Sequence, residues 1–236
     1  MNIHAIPFRK YVLVAGLVLL LVFYGFSRWV KRGGLKQADF NTTVKIQERI
    51  DRSTRLRLAD FVGNVMEGST FFASPAFTSG VIIVLTLLAA VDVRKKKIRL
   101  RTLAIPLFFG LLVLGEIYGK SVVHHPSPPF FMIKNPTSFF PKDYINEQYS
   151  YPSGHTARAL FLGITALSLA FACFAAKKHR TRYLSLLALC MAIYIGIVAI
   201  ARIYLGHHWL SDIIGGGLLG GGLGLFTFVG LSFDRR

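Results

Sequence analysis

The chain has 236 residues, 53% of them hydrophobic, with a mean hydropathy of +0.50, which is too apolar for an ordinary soluble domain and enough for one bundle of membrane helices. The net charge of +17 would suit nucleic acid. Its basic residues, however, gather in short loops between apolar runs, the distribution of a topology signal, and this argues against a nucleic-acid partner. Cys173 and Cys190 both lie inside apolar runs, so they read as small packing residues with no disulfide framework and no metal spacing.

Residues 11–27 carry no charge and follow Arg9 and Lys10. No small-residue cleavage site follows them, so they read as an uncleaved first span with the N-terminus inside. Gly33-Gly34 breaks the chain. Residues 39–66 are charged but periodic, with Phe40, Val44, Ile50, Leu58, Phe61, Val62 and Val65 near helical spacing. This predicts an interfacial helix at the outer membrane surface, in one or two pieces. Lys45, Arg49 and Arg52 occupy another face and read as solvated. Residues 71–91 form a second apolar run, closed by Asp92-Val-Arg-Lys-Lys-Lys-Ile-Arg-Leu-Arg101, a strong cytoplasmic loop signal.

A third span covers residues 102–119 and runs outward to Lys120. Glu116 lies in it, one turn before Lys120, and reads as a local ion pair or as a group that orients the lysine. Residues 121–151 form an outer loop too rich in proline for a regular helix, with aromatics suited to the headgroup region. Tyr151-Pro-Ser-Gly-His155 opens a fourth span, to residue 176, and Lys177-Lys-His-Arg-Thr-Arg182 is a second inside loop. Spans five and six cover residues 183–201 and 213–233. The glycines of the sixth make several G-x-x-x-G pairs, read as close helix packing and not as a phosphate loop. The expected fold is therefore all-α: six transmembrane helices in one domain over residues 1–236, with a core at about 71–233.

This topology places three polar stretches at the outer ends of spans: Lys120, Ser153 to His155, and Arg202 to Asp212. Asp212 follows His208 by four residues, so on a helix they share a face. A carboxylate there holds one imidazole nitrogen protonated and leaves the other free to attack or to take a proton. Arg202 offers a permanently charged fork for phosphate or carboxylate. The amides of Ser153 and Gly154, ahead of a helix, can hold phosphate oxygens, and Lys120 adds charge. Taken alone, the Arg202–Asp212 turn reads equally well as a polar connection with solvated histidines.

Pro152-Ser-Gly-His155, followed by Arg202-x5-His208-x3-Asp212, resembles the type 2 phosphatidic acid phosphatase family. This is the membrane branch of a group that also holds soluble acid phosphatases and vanadium haloperoxidases. The resemblance covers about residues 71–233. It departs from the family pattern at Ala201, where a serine leads the third motif, and at Ser127, where the first motif (Lys120 to Pro128) expects arginine. The resemblance implies that His208 attacks phosphorus to give a phosphohistidine, with Asp212 orienting it and His155 as general acid. Lys120, Ser153, Gly154 and Arg202 would bind the phosphate, with no metal and no cofactor. His207 would be a bystander.

The implied activity is hydrolysis of a lipid phosphate or pyrophosphate, such as polyprenyl pyrophosphate, phosphatidylglycerophosphate or phosphatidate. The alternatives are phosphotransfer to a second lipid, or a weakly active or inactive member because of Ser127. A metal or haem site built on His124, His125, His207 and His208 ranks lower, because adjacent side chains do not normally face one point. Loss of a bidentate phosphate contact costs on the order of 1.5–3 kcal/mol. Arg158, one turn beyond Gly154, is a candidate replacement, and His124 and His125 lie inside the first motif. The implied partners are the lipid substrate and membrane lipids, with no obligate protein partner. The implied location is a cell membrane with both termini cytoplasmic and the site outside, and the short loops read as bacterial.

Overall fold

The structure is a computed structural model that describes residues 5–53, 56–92, 97–134, 148–174 and 177–231. Its helices are α1 Ala5–Lys31, α2 Lys36–Ser53, α3 Leu56–Phe71, α4 Pro75–Ala90, α5 Ala104–Val123, α6 Gly154–Cys173, α7 Arg180–Tyr204 and α8 Leu210–Leu231. Short 3-10 turns lead into α5 and follow it at Phe130–Met132. Among the described residues, a two-rung antiparallel ladder pairs Val91 with Ile98 and Asp92 with Lys97 across the basic loop, and an isolated bridge joins Pro126 to Tyr149.

Among the described residues, five stretches are long and apolar enough to cross a membrane: Phe8–Lys31, Leu100–Val123, Gly154–Cys173, Arg180–Tyr204 and Leu210–Leu231. Phe61–Phe71 with Pro75–Ala90 makes a sixth if this pair, bent by 50° at its break, is counted as one span. The expected second span at residues 71–91 is thus shortened at its start. Ser74 caps α4 by accepting from the Phe77 N–H, and Pro75 takes the first helical position, where its missing donor is not needed. Leu17 and Leu21 of α1, Leu107 and Ile117 of α5, and Leu189 and Ile193 of α7 all point outward. A chain with that many exposed aliphatics suits lipid, not water. Cys173 and Cys190 are exposed as well, which corrects their reading as packing residues: their spans turn those positions away from the bundle.

Helix α8 is the centre, with α6 and α1 packed on it. A Cβ added at Gly216 would lie 2.3 Å from the Ser153 carbonyl oxygen, and one at Gly220 would lie 2.2 Å from that of Ala157. Only glycine lets α6 approach this closely, so the glycine stripe is helix packing, as its spacing predicts. Ile105, Leu112, Ala157, Phe161, Leu219 and Leu223 fill the core below.

Helices α2 and α3 occupy the predicted 39–66 segment, and α2 docks mainly through polar side chains. Phe40 is 43% exposed, whereas Asp39 and Thr43 are buried at 2% and 0%. Gln47 Nε2 donates to the carbonyls of Met132 (2.7 Å) and Tyr204 (2.9 Å), and the Tyr204 hydroxyl donates to Asp51. Phe40 stays outside while Val44 and Ile50 are half-buried, so the apolar spacing alone does not mark the docked face of α2.

Candidate active site

The three predicted stretches meet at one end of the bundle: Lys120 ends α5, Ser153 to His155 start α6, Arg202 ends α7, and Asp212 starts α8. The turn that carries the histidines is built by a glycine cap. Gly206 adopts φ +69°. Its N–H donates to Ile203 O at 3.0 Å, and the His207 N–H donates to Arg202 O at 3.1 Å, the paired bonds that close a helix in the left-handed region. The His208 N–H also reaches Arg202 O at 3.1 Å, so the histidine backbone hangs on the arginine carbonyl. Asp212 sits in the first turn of α8 and accepts the Trp209 N–H on Oδ2 at 2.9 Å, half of a capping box. A carboxylate there also complements the helix dipole.

His208 Nδ1 faces Asp212 Oδ2 at 3.4 Å, with both side chains buried. The Ser153 N–H donates to the Asp212 carbonyl at 2.9 Å, which ties the start of α6 to the start of α8. His155 is buried within the electrostatic reach of Arg202, Arg158, His208 and His207. At the foot of this group lies Glu116. It pairs with Arg158, and its Oε1 is 3.5 Å from Lys120 Nζ. A Cβ at Gly154 would lie 2.1 Å from that carboxylate, so any side chain there would displace Glu116 from its place between the two cations. The arrangement gathers cations, a helix N-terminus and a carboxylate-backed imidazole at one end of the bundle, the set that phosphoryl transfer needs. Among the described residues, no three His, Cys, Asp or Glu side chains converge as metal ligands.

The profile of the PAP2 superfamily matches residues 100–236, more than half of the chain. The chain belongs to the PAP2 superfamily. This PAP2 chain is 32% identical over 205 residues to an undecaprenyl-diphosphatase from Sulfolobus acidocaldarius, covering 86% of this chain and 84% of that protein. It also superposes on the crystal structure of a transmembrane PAP2 type phosphatidylglycerolphosphate phosphatase from Bacillus subtilis, with a TM-score of 0.65 and 20% identity over 91% of this chain and 93% of the other. At that identity, the likeness is one of fold.

In this PAP2 chain, the predicted Lys120, Ser153, Gly154, His155, Arg202, His208 and Asp212 all lie at the same end. Arg158 lies there too, but its Nη1 goes to Glu116 and its Nε donates to the Ala73 carbonyl at 3.2 Å. His207 is half-buried, with both ring nitrogens buried and without a hydrogen-bond partner among the described residues. Burial first, then the charges of Arg202 and His208, push its pKa down to about 2, so the ring is neutral.

The sequence placed His125 inside the first motif without its role, and it did not single out Asp39. His125 places Nδ1 2.9 Å from Asp212 Oδ1, whereas its neighbour His124 turns away at φ 55° onto the Tyr149 ring. Asp39 of α2 accepts the Ser211 N–H and hydroxyl, each at 2.8 Å. Burial pushes the Asp39 carboxyl up, against the pull of those two bonds. The signal for His125 was its place inside the first motif. Asp39 had none, because it belongs to no motif.

Proposed function

We propose that this chain, a membrane phosphatase of the PAP2 type, hydrolyses a lipid phosphate monoester or pyrophosphate through a phosphohistidine on His208. The observation that carries the reading is the pairing of His208 Nδ1 with the buried Asp212 carboxylate. With Nδ1 committed, Nε2 holds the lone pair that attacks phosphorus, and Asp212 stabilises the cationic ring that results. Arg202 and Lys120 bind the phosphoryl oxygens together with the Gly154 end of α6, while the Ser153 N–H, expected to join them, is held by the Asp212 carbonyl. His155 gives its proton to the departing oxygen, and water then cleaves the P–N bond to release inorganic phosphate. Arg158 supports the cationic side of the pocket through Glu116.

The Sulfolobus relative acts on undecaprenyl diphosphate, by its name, and the Bacillus neighbour on phosphatidylglycerolphosphate. Of these, the higher sequence identity favours a polyprenyl diphosphate here. We place six spans across a cell membrane, with the bent α3–α4 pair as the second. The termini and the basic loops at residues 92–101 and 177–182 lie inside, and the site faces out. α2 lies at the outer surface with Phe40 toward lipid. The short loops fit a prokaryotic membrane.

The test is phosphate release by the purified protein in detergent, from polyprenyl diphosphate, phosphatidylglycerophosphate and phosphatidate, beside His208→Ala. Release from at least one lipid by the wild type and none by the variant is expected. Equal release from every lipid would refute the reading.

A further inference from the structure

Asp212 serves a second imidazole. His125 Nδ1 is 2.9 Å from its Oδ1, closer than His208 is to Oδ2 at 3.4 Å. An ionised carboxylate only accepts, so His125 is the donor. The His125 ring is 6% exposed and clamped from both sides. Its carbonyl accepts the Ser150 N–H at 3.0 Å, and Trp209 Nε1 donates to the next carbonyl, that of Pro126, at 2.8 Å. The far side of the ring faces α2: Nε2 is 3.9 Å from Asp39 Oδ2. The same Asp39 carboxylate takes both donors of Ser211, the residue just before Asp212.

We infer that His125 and Asp39 are positioning residues for the orienting carboxylate. His125 occupies Oδ1, the Trp209 N–H fixes Oδ2, and Asp39 locks the first turn of α8. Asp212 then has one rotation available, the one that turns Oδ2 to His208. The inference rests on the reading of His208 as a nucleophile oriented by Asp212. It also assigns a use to the altered first motif. The loop that lacks its arginine at Ser127 delivers an imidazole two residues earlier, to the carboxylate and not to the phosphate. Asp39 lies outside the segment matched by the superfamily profile, so part of this support comes from the N-terminal region.

When His208 bonds to phosphorus its ring becomes cationic, and the Nδ1–H to Asp212 contact strengthens. A carboxylate free to rotate loses that gain in the transition state and not in substrate binding, so the effect falls on kcat. The experiment measures kcat and KM on whichever of the three lipids the wild type cleaves fastest. The variants are His125→Ala, His125→Asn, Asp39→Asn and His125→Ala/Asp39→Asn, with His208→Ala alongside and thermal stability recorded for each.

His125→Ala is expected to lose about 10- to 100-fold in kcat, the scale of groups that orient a reacting ligand, with KM little changed. His125→Asn places an amide donor where Nδ1 stood and is expected to recover most of the loss. The double variant is expected to lose less than the product of the single losses, because both act on one carboxylate. Three results overturn the inference while leaving His208 as the nucleophile: wild-type kcat in His125→Ala, a loss confined to KM, or equal losses in His125→Ala and His125→Asn that track stability. If the wild type is no more active than His208→Ala, the underlying reading fails and takes this inference with it.

Discussion

Adding one methyl group at Gly216 tests whether the packing of α8 on α6 sets the geometry of the site. The new Cβ would stand 2.3 Å from the Ser153 carbonyl oxygen, 3.2 Å from its carbon and 3.3 Å from Ala157 N. A comfortable carbon-to-oxygen contact is about 3.3–3.6 Å, so the helices must part by about 1 Å there. All three atoms are backbone, so no rotamer can relieve the contact. Ser153 leads directly into Gly154 and His155, while α8 carries Asp212 only four residues before Gly216. Parting the helices therefore separates His155 from His208, the proposed general acid and nucleophile, and a misplacement of about 1 Å costs on the order of 100-fold in rate. Overpacking should add about 1–3 kcal/mol of destabilisation. Gly217, with nothing within 4 Å of its added Cβ, is the control on the same helix. We expect Gly216→Ala to lose about 100-fold in kcat while Gly217→Ala stays near the wild type, measured as phosphate release from the best lipid with thermal stability alongside. Equal rates in the two variants would show that α6 and α8 do not set the site by close contact.

Glu116→Ala and Arg158→Ala each strip one partner from a buried pair and should destabilise by about 3–5 kcal/mol, with the double variant losing less than the sum in thermal denaturation. His207 has a folded pKa of about 2 against 6.5 for the free side chain, so folding expels its proton between those values. Stability is then complete above about pH 6.5 and falls as the pH drops below it, and His207→Phe should flatten that decline between pH 7 and pH 5 in melting curves. The kcat/KM profile should be bell-shaped over roughly pH 5 to 9, since the proposed mechanism needs one histidine neutral and another protonated; a flat profile would contradict the proposed roles.

Spans, loops and helix ends were legible because hydropathy and charge are local signals. Residues 102–119, 183–201 and 213–233 anticipated α5, α7 and α8 to within a few residues, and Pro152 to His155 gave the start of α6. The glycines of α8 were legible as packing because G-x-x-x-G spacing has one geometric meaning. The polar docking of α2 was hidden. Periodicity marks an apolar face, but here Asp39, Thr43 and Gln47 make the tertiary contacts, and a sequence does not show which partner satisfies a buried carboxylate. Glu116 was visible as a partner for Lys120 at four residues, and its bond to Arg158, which crosses from α5 to α6, was not. His125 fell between the two cases: its motif pointed to the site, but only the left-handed turn at His124 decides which of the two rings goes in.

The central claim is that His208 carries the phosphoryl group, and the direct measurement is rapid quenching of the purified protein after mixing with a lipid diphosphate labelled in its terminal phosphate. A phosphohistidine is labile in acid and stable in alkali. The account predicts label on the wild-type protein with that stability, mapped to His208 and absent from His208→Ala. Turnover with no labelled protein at any quench time, or the same label in His208→Ala, would contradict it.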